Sequence, residues 1–376
     1  MNQRAYEGGE KMSIHDRVAQ LPALSPRQCN ERLEALGYRG QDRARRAASV
    51  MAYRHVRRLR RLFLEGIGAE AFGHRDNYLF MGPTGSGKTF LVELLFRDII
   101  EVPTVIVDIT QYSETGYIGE DVTMMLARLF EAAGQDLAWT ACGVVCMDEF
   151  DKLASSRSNA RFAGEGTTKD VSGFGVQRGL LTLLSGDEAQ FPADFGYAQL
   201  APKLTLPLSG LTFIACGAFS GFQTTAESLD DEERIGFGRD AAPRNQEAIA
   251  AKLEEEVLEK TAAFARYGFL PELIGRFSRV VLFEPLDAST LRSIIEEGVL
   301  AAYSAEFVDE GLKLEIGDCV LEHIVERALK RELGARGLRT SLLPHLERAA
   351  FDWFGRGEER TVRLAMDGDS ISVTAE

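Results

Sequence analysis

Eight consecutive residues, Gly82-Pro83-Thr84-Gly85-Ser86-Gly87-Lys88-Thr89, fit the pattern G-x-x-x-x-G-K-[ST]. A glycine-rich turn that opens a helix converges its backbone N–H groups on an anion, so this spacing predicts a phosphate cradle. Lys88 is placed to reach the β- and γ-phosphates of a nucleoside triphosphate, and the Thr89 hydroxyl to ligate Mg²⁺. A second acidic motif follows downstream. The apolar run 144–147 ends in Asp148-Glu149, at the carboxyl edge of a predicted strand, where α/β ligands sit. Asp148 is expected to hold the Mg²⁺ shell, and Glu149 to orient and polarise an attacking water, because phosphoryl transfer depends on positioning and electrostatics. The competing readings are a chance glycine-rich turn and carboxylates that merely cap the next helix. Both lose to the joint presence of the two motifs, which together imply an NTP-hydrolysing core.

The elements that must position these groups are legible around them. Residues 78–81 are apolar and strand-like and run straight into the glycine-rich turn, after which Phe90, Leu91, Leu94 and Leu95 recur at helical spacing. Further buried-strand candidates are 104–109, 211–219 and 279–286, and helical patterns cover 121–133, a stretch ending at 184, and 248–264. The Ser/Gly-rich stretch 155–173, the segment 186–210 and the acidic segment 224–247 read as irregular. The remainder reads as helices over 288–305, 318–330 and 338–354, closing on two alternating strands around an Asp367-Gly368 turn. The fold class is therefore α/β, a parallel sheet flanked by helices, followed by a small, mainly helical C-terminal domain. The expected division is a poorly ordered polar leader over 1–22, with Met12 an alternative start, a large domain over 23–286 and a small one over 287–376.

Composition narrows the class further. A chain of 376 residues with 45% hydrophobic content is long enough for two cores. It shows no membrane-length apolar run and no signal-peptide core, so a cytoplasmic protein is expected. The five cysteines are scattered, and Cys142 and Cys146 beside or within an apolar strand read as buried thiols. A net charge of −14 argues against a nucleic-acid groove. The local exception is 39–61, with nine arginines and one acid. Its apolar residues fall at helical spacing, which makes the arginines a solvated helix face and His55 a core histidine.

At this point the motifs, in their order, resemble the Clp/HSP100 family of AAA+ unfoldases, in its ClpX-like branch and less closely in HslU, from about Leu24 to the C-terminus. The eight-residue turn and "MDEFDK" look like the family's Walker A and B boxes, "TGYIGEDV" like its first pore loop, and "FIACGAF" like its sensor-1 strand. "YGFLPELIGRF" resembles its arginine-finger box and "ELGARGLRTSL" its sensor-2 box. The resemblance implies an ATP- and Mg²⁺-dependent homo-hexamer that unfolds protein substrates and threads them through an axial pore. Tyr117 and Ile118, between Gly116 and Gly119, would grip the polypeptide there. Arg276 would act as a finger on the neighbouring subunit's γ-phosphate, and Arg336 would touch the phosphates in cis. Cys216 is the nearest candidate for the sensor-1 polar residue. The tripeptide Ile235-Gly236-Phe237 stands where the family docks a ClpP-type peptidase.

The departures from the family carry expectations too. The family's N-terminal zinc-binding domain is not matched, and Tyr38-Arg39 replaces the usual aliphatic pair at the adenine pocket. The basic loop at the channel entrance is missing: 186–210 holds Lys203 as its only cation, with Phe191, Phe195 and Tyr197 offering apolar recognition instead. Three rival readings stay open: a remodeller that works without a protease, a nucleic-acid-associated motor suggested by 39–61, and a nucleotide-gated scaffold.

Overall fold

The protein, in a computed structural model, is described over residues 12–72, 75–112, 121–154, 173–193, 202–222, 261–331, 334–357, 360–368 and 370–376. Five strands form an all-parallel sheet: β1 (Tyr78–Met81), β2 (Thr104–Asp108), β3 (Val144–Asp148), β6 (Thr212–Gly217) and β7 (Arg279–Leu282), in the order β2-β3-β6-β1-β7. Their residues alternate between two cores, as a strand's period of two requires. Leu79, Met81, Val145, Met147, Phe213 and Ala215 pack on one face, and Phe80, Val144, Cys146, Ile214 and Cys216 on the other.

The second face is covered by helices α1 (Ile14–Gln20), α2 (Pro26–Ala35), α3 (Asp42–Phe63) and α4 (Lys88–Glu93). Helix α2 starts with a Ser25/Gln28 capping box and Pro26 in its first turn, which satisfies amide groups the helix itself cannot pair. Residues 12–22, expected above to close a poorly ordered leader, instead carry α1. Val18 and Leu21 are buried in that core, and Arg60 Nη2 on α3 donates to the Leu21 carbonyl at 2.7 Å. Two apolar residues one helical turn apart, capped by Ser13, are too short a pattern to announce a helix on their own.

His55 is the core histidine that its place in the apolar stripe of α3 implies. It is buried between the Thr212 hydroxyl (2.9 Å from Nδ1) and the Cys142 carbonyl (3.0 Å from Nε2). The carbonyl can only accept, so Nε2 carries the proton and Nδ1 accepts from Thr212. Burial pushes the His55 pKa down to about 4. A depressed histidine supplies stability that is complete above its unfolded pKa, near 6.5, and is lost as pH falls toward 4. We expect denaturant titrations to find the protein about 2 kcal/mol less stable at pH 5 than at pH 8 from this group. In His55→Gln that part of the pH dependence should vanish; an unchanged slope would assign it elsewhere.

The first face carries α5 (Met124–Ala132), α6 (Leu137–Thr140), α7 (Phe174–Ser185), α8 (Thr261–Tyr267) and α9 (Pro271–Ile274). Helix α5 begins at Met124 rather than Asp121, because the Asp121 carboxylate accepts from Thr123 N–H at 2.7 Å and holds a turn there. The segment 186–210, read as a loop, contains an antiparallel pair: β4 (Glu188–Pro192) and β5 (Lys203–Pro207), with Phe191 opposite Leu204. Phe191 is fully buried against Phe130 (centroids 5.6 Å apart), so it serves the core and is not available for recognition. Arg75 fastens this hairpin to α7, donating to the carbonyls of Leu183, Leu184, Gly186 and Leu208.

The C-terminal region packs α10 (Ala288–Ile294), α11 (Leu300–Asp309), α12 (Asp318–Lys330) and α13 (Gly334–Trp353) against a sheet of order β10-β9-β8 around a third core. The hairpin at Asp367-Gly368 is present as β9 (Arg360–Asp367) and β10 (Ser370–Ala375). Strand β8 (Leu312–Ile316) was not expected among helices; its alternation of Leu312, Leu314 and Ile316 with charged residues is legible only once β9 is placed beside it. No helix among the described residues is long and apolar enough to cross a membrane.

Candidate functional site

Strand β1 feeds the phosphate loop, and α4 starts at its end with Lys88 and Thr89. Gly82 has a positive φ of 153°, and a Cβ there would come within 2.3 Å of the Phe283 carbonyl oxygen, so only glycine lets the loop leave β1 beside β7. Ser86 Oγ is buried with no hydrogen-bond partner among the described residues, an orphaned hydroxyl in a glycine-rich turn of the kind that receives anions at a helix N-terminus. Lys88 is buried, and its ammonium donates to the carbonyls of Gly82 (2.7 Å) and Pro83 (2.8 Å). Burial pulls its pKa below the usual lysine value, while Asp148, Asp151 and Glu149 oppose that shift. The loop fits a phosphate chain.

Asp148 and Glu149 stand at the carboxyl end of β3, directly across from α4. The Thr89 hydroxyl donates to Asp148 Oδ2 at 2.8 Å, which puts a hydroxyl and a carboxylate oxygen, both hard donors, at one point. Glu149 lies in the left-handed backbone region (φ 56°, ψ 30°), and its N–H donates to Asp148 Oδ1 at 2.9 Å. A non-glycine residue held there costs on the order of 1 kcal/mol or more and marks a constrained turn.

These residues line a cleft of about 660 Å³ between the sheet edge and α13. Arg336 faces it from the first turn of α13, joined one turn on by Arg339 and Thr340, which sequence reasoning did not single out. Their spacing of three and four from Arg336 was the available signal. The cleft also has apolar lining from Phe90, Val299, Leu343 and Pro344, the kind of wall a purine ring can pack against. Helix α13 is seated on the phosphate loop itself: Ala335 N–H donates to the Gly85 carbonyl at 3.2 Å. A Cβ on Gly334 would lie 2.6 Å from that same oxygen, so the close approach depends on glycine.

Other expected residues fall differently. Cys216 points into the core toward Cys146, with the sulfurs 3.6 Å apart, and Gly217 and Ala218 line the cleft in its place. Tyr38 is buried and its hydroxyl donates to the Gly87 carbonyl at 3.3 Å, while Arg39 turns away to pair with Glu297. Gln41 exchanges two hydrogen bonds with the backbone of Glu284 (2.7 and 3.0 Å). Arg276 is exposed beyond α9 and does not line the cleft; Asn77 Nδ2 holds its carbonyl at 2.8 Å. Tyr117, Ile118, Ile235, Gly236 and Phe237 lie outside the described residues.

Comparison with known proteins agrees with this fold. Residues 74–280 match the model of the AAA domain (Cdc48 subfamily), and 286–360 match the C-terminal, D2-small domain of ClpB protein. The ATP-dependent Clp protease ATP-binding subunit ClpX of Azotobacter vinelandii is 34% identical over 324 residues, covering 83% of this chain and 71% of the relative. ClpX 3 of Methylococcus capsulatus is 34% identical over 352 residues, covering 89% of this chain and 78% of the relative. By its family models and by relatives that run along most of its length, this chain belongs to the ClpX-like AAA+ proteins and is an ATPase.

Proposed function

We propose that this protein spends ATP hydrolysis on unfolding other proteins, as a homo-hexameric ring that threads them through its axis. The observation that supports the chemistry best is the Thr89–Asp148 contact beside Glu149, in a cleft roofed by Arg336. Mg²⁺ held by Thr89 and Asp148 would neutralise charge on the transferring phosphoryl group. Lys88 binds the β- and γ-phosphates, Glu149 orients and polarises the attacking water, and Arg336 ties the phosphates to α13. Arg276, outside the cis cleft, serves the neighbouring subunit. The chain divides near 286/287, so the cleft opens and closes as the smaller part swings on the larger.

Tyr117 and Ile118 are the pore grip, and Ile235-Gly236-Phe237 the anchor for a ClpP-type peptidase in the cytoplasm. The relatives named above are called ATP-binding subunits of a protease, which supports that pairing. The deciding experiment follows loss of fluorescence from a degron-bearing fluorescent protein, with ATP, with and without a ClpP-type peptidase. Unfolding that needs ATP, with cleavage that also needs 235–237, is expected. ATP-driven unfolding with no cleavage when the peptidase is present would favour a remodeller working alone, and no unfolding would overturn the reading.

The charge of 186–210 makes a further expectation. Lys203 stands against Asp187, Glu188 and Asp194, a formal −2 per subunit, so a ring of such loops repels a substrate's C-terminal carboxylate. With Phe191 buried, Phe195 and Tyr197 remain for apolar recognition. A protein carrying a small-apolar C-terminal tag should show a high Michaelis constant that falls as salt rises and screens the repulsion. Tight capture that weakens with salt would sink the idea.

A further inference from the structure

Phe150 follows Glu149 in the short helix Phe150–Leu153 and is fully buried. Its ring is stacked on Phe269, with centroids 5.3 Å apart and planes 13° from parallel. It also meets Phe277 edge-on, at 5.4 Å and 76°. Phe277 is the residue after Arg276, and Phe269 stands just before α9, the helix that leads into Arg276. A single buried ring therefore joins the residue next to the carboxylate of one site to the residue next to the exposed arginine.

Both ends of this connection are anchored. On the Glu149 side, Asp151 is buried and its Oδ1 accepts from Ala218 N–H at 3.0 Å, which fixes the turn to the end of β6. On the Arg276 side, Asn77 Nδ2 holds the Arg276 carbonyl at 2.8 Å, and Ser278 N–H donates back to the Asn77 carbonyl at 2.9 Å. Asn77 opens β1, the strand that becomes the phosphate loop. The arginine is thus tethered to both elements that sense the nucleotide. Interiors are packed too tightly to absorb a shift locally, and stacked and edge-on rings pass on orientation as well as position. An aliphatic side chain could fill the same space without holding that orientation.

We propose that Phe150 is a positioning residue that sets how Arg276 is presented to the neighbouring subunit, so that the state of one ATP site is handed to the next. This rests on the reading of Arg276 as acting in trans. By linkage the coupling runs both ways, and a phosphate held by Arg276 also biases the Glu149 turn.

The test uses mixed assemblies in which only one kind of site can fire. Arg276→Ala subunits keep an intact cleft, and Lys88→Ala subunits keep an intact finger, so their mixture should recover ATPase activity. The Lys88→Ala partner is then replaced by Phe150→Leu/Lys88→Ala, whose own cleft is already silent. Recovery should fall about 10-fold, because a finger misplaced by a fraction of an ångström loses much of its transition-state contact. Ring size and thermal midpoint are measured alongside; a purely structural role leaves the recovery of properly assembled rings unchanged and overturns the proposal. If Phe150→Leu does not assemble, Phe277→Leu replaces it with the same expectation. No recovery in the first mixture removes the trans finger and the proposal with it, whereas equal recovery in both removes the proposal alone.

Discussion

Glu149→Gln should bind ATP and assemble as the unaltered protein does, yet hydrolyse ATP at least ~10²-fold more slowly, the usual cost of losing a water-positioning base. The amide is nearly isosteric with the carboxylate. It leaves in place the Glu149 N–H bond to Asp148 and the buried Phe150 that hold the turn, so the loss is confined to polarising water. Lys88→Ala is the contrasting variant: its ammonium lies in the loop that would take the phosphates, and removing it should weaken binding itself. Nucleotide affinity by fluorescence and turnover by phosphate release separate the two. Near-normal turnover by Glu149→Gln would remove that residue from the chemistry. If the variant behaves as expected, it is also the one to use for capturing engaged substrates under ATP.

Arg276→Ala should lower turnover by about 10³-fold, the scale of a missing arginine finger, while ATP affinity stays close to normal. The second half of this expectation comes from placement. Arg276 is exposed and stands outside the cleft that Lys88, Thr89 and Arg336 line, so its own subunit's nucleotide does not depend on it. Turnover should drop without a matching rise in the Michaelis constant, the signature of a contact made only in the transition state. Arg336→Ala should instead raise that constant, since Arg336 faces the cis cleft. A large loss of ATP affinity in Arg276→Ala, with assembly intact, would place the residue in its own site.

What could be read from the chain in advance follows from how local each feature is. The phosphate loop and the acidic pair are each set by residues within a few positions of each other, so spacing alone exposes them. Arg336 was found through its motif, but Arg339 and Thr340 became visible only when α13 was seen to roof the cleft. The β4–β5 hairpin escaped because each strand shows its alternation for only a few residues, separated in the chain by residues 193–202. The Phe150–Phe269–Phe277 contact could not have been foreseen from spacing, since it joins residues far apart in the chain. Cys216 misled for the opposite reason. Its neighbours matched a motif, but the pleat turned its side chain to the far face of the sheet.

The strand order β2-β3-β6-β1-β7 bears on how the protein is made. Strand β1 is the first of the sheet to leave the ribosome, yet both its partners come late: Tyr78 pairs with Ile214 on one side and Arg279 on the other. At ordinary synthesis rates the last partner follows by roughly 10–40 s. Through that interval β1, all four of whose residues are buried in the finished fold, has two unpaired edges, while β2 and β3, close in sequence, can already pair. Phe283, whose carbonyl oxygen lies close against Gly82 of the phosphate loop, emerges later still. A sheet whose interior strand waits for distant partners is built from non-local pairings, the kind of contact that makes folding slow.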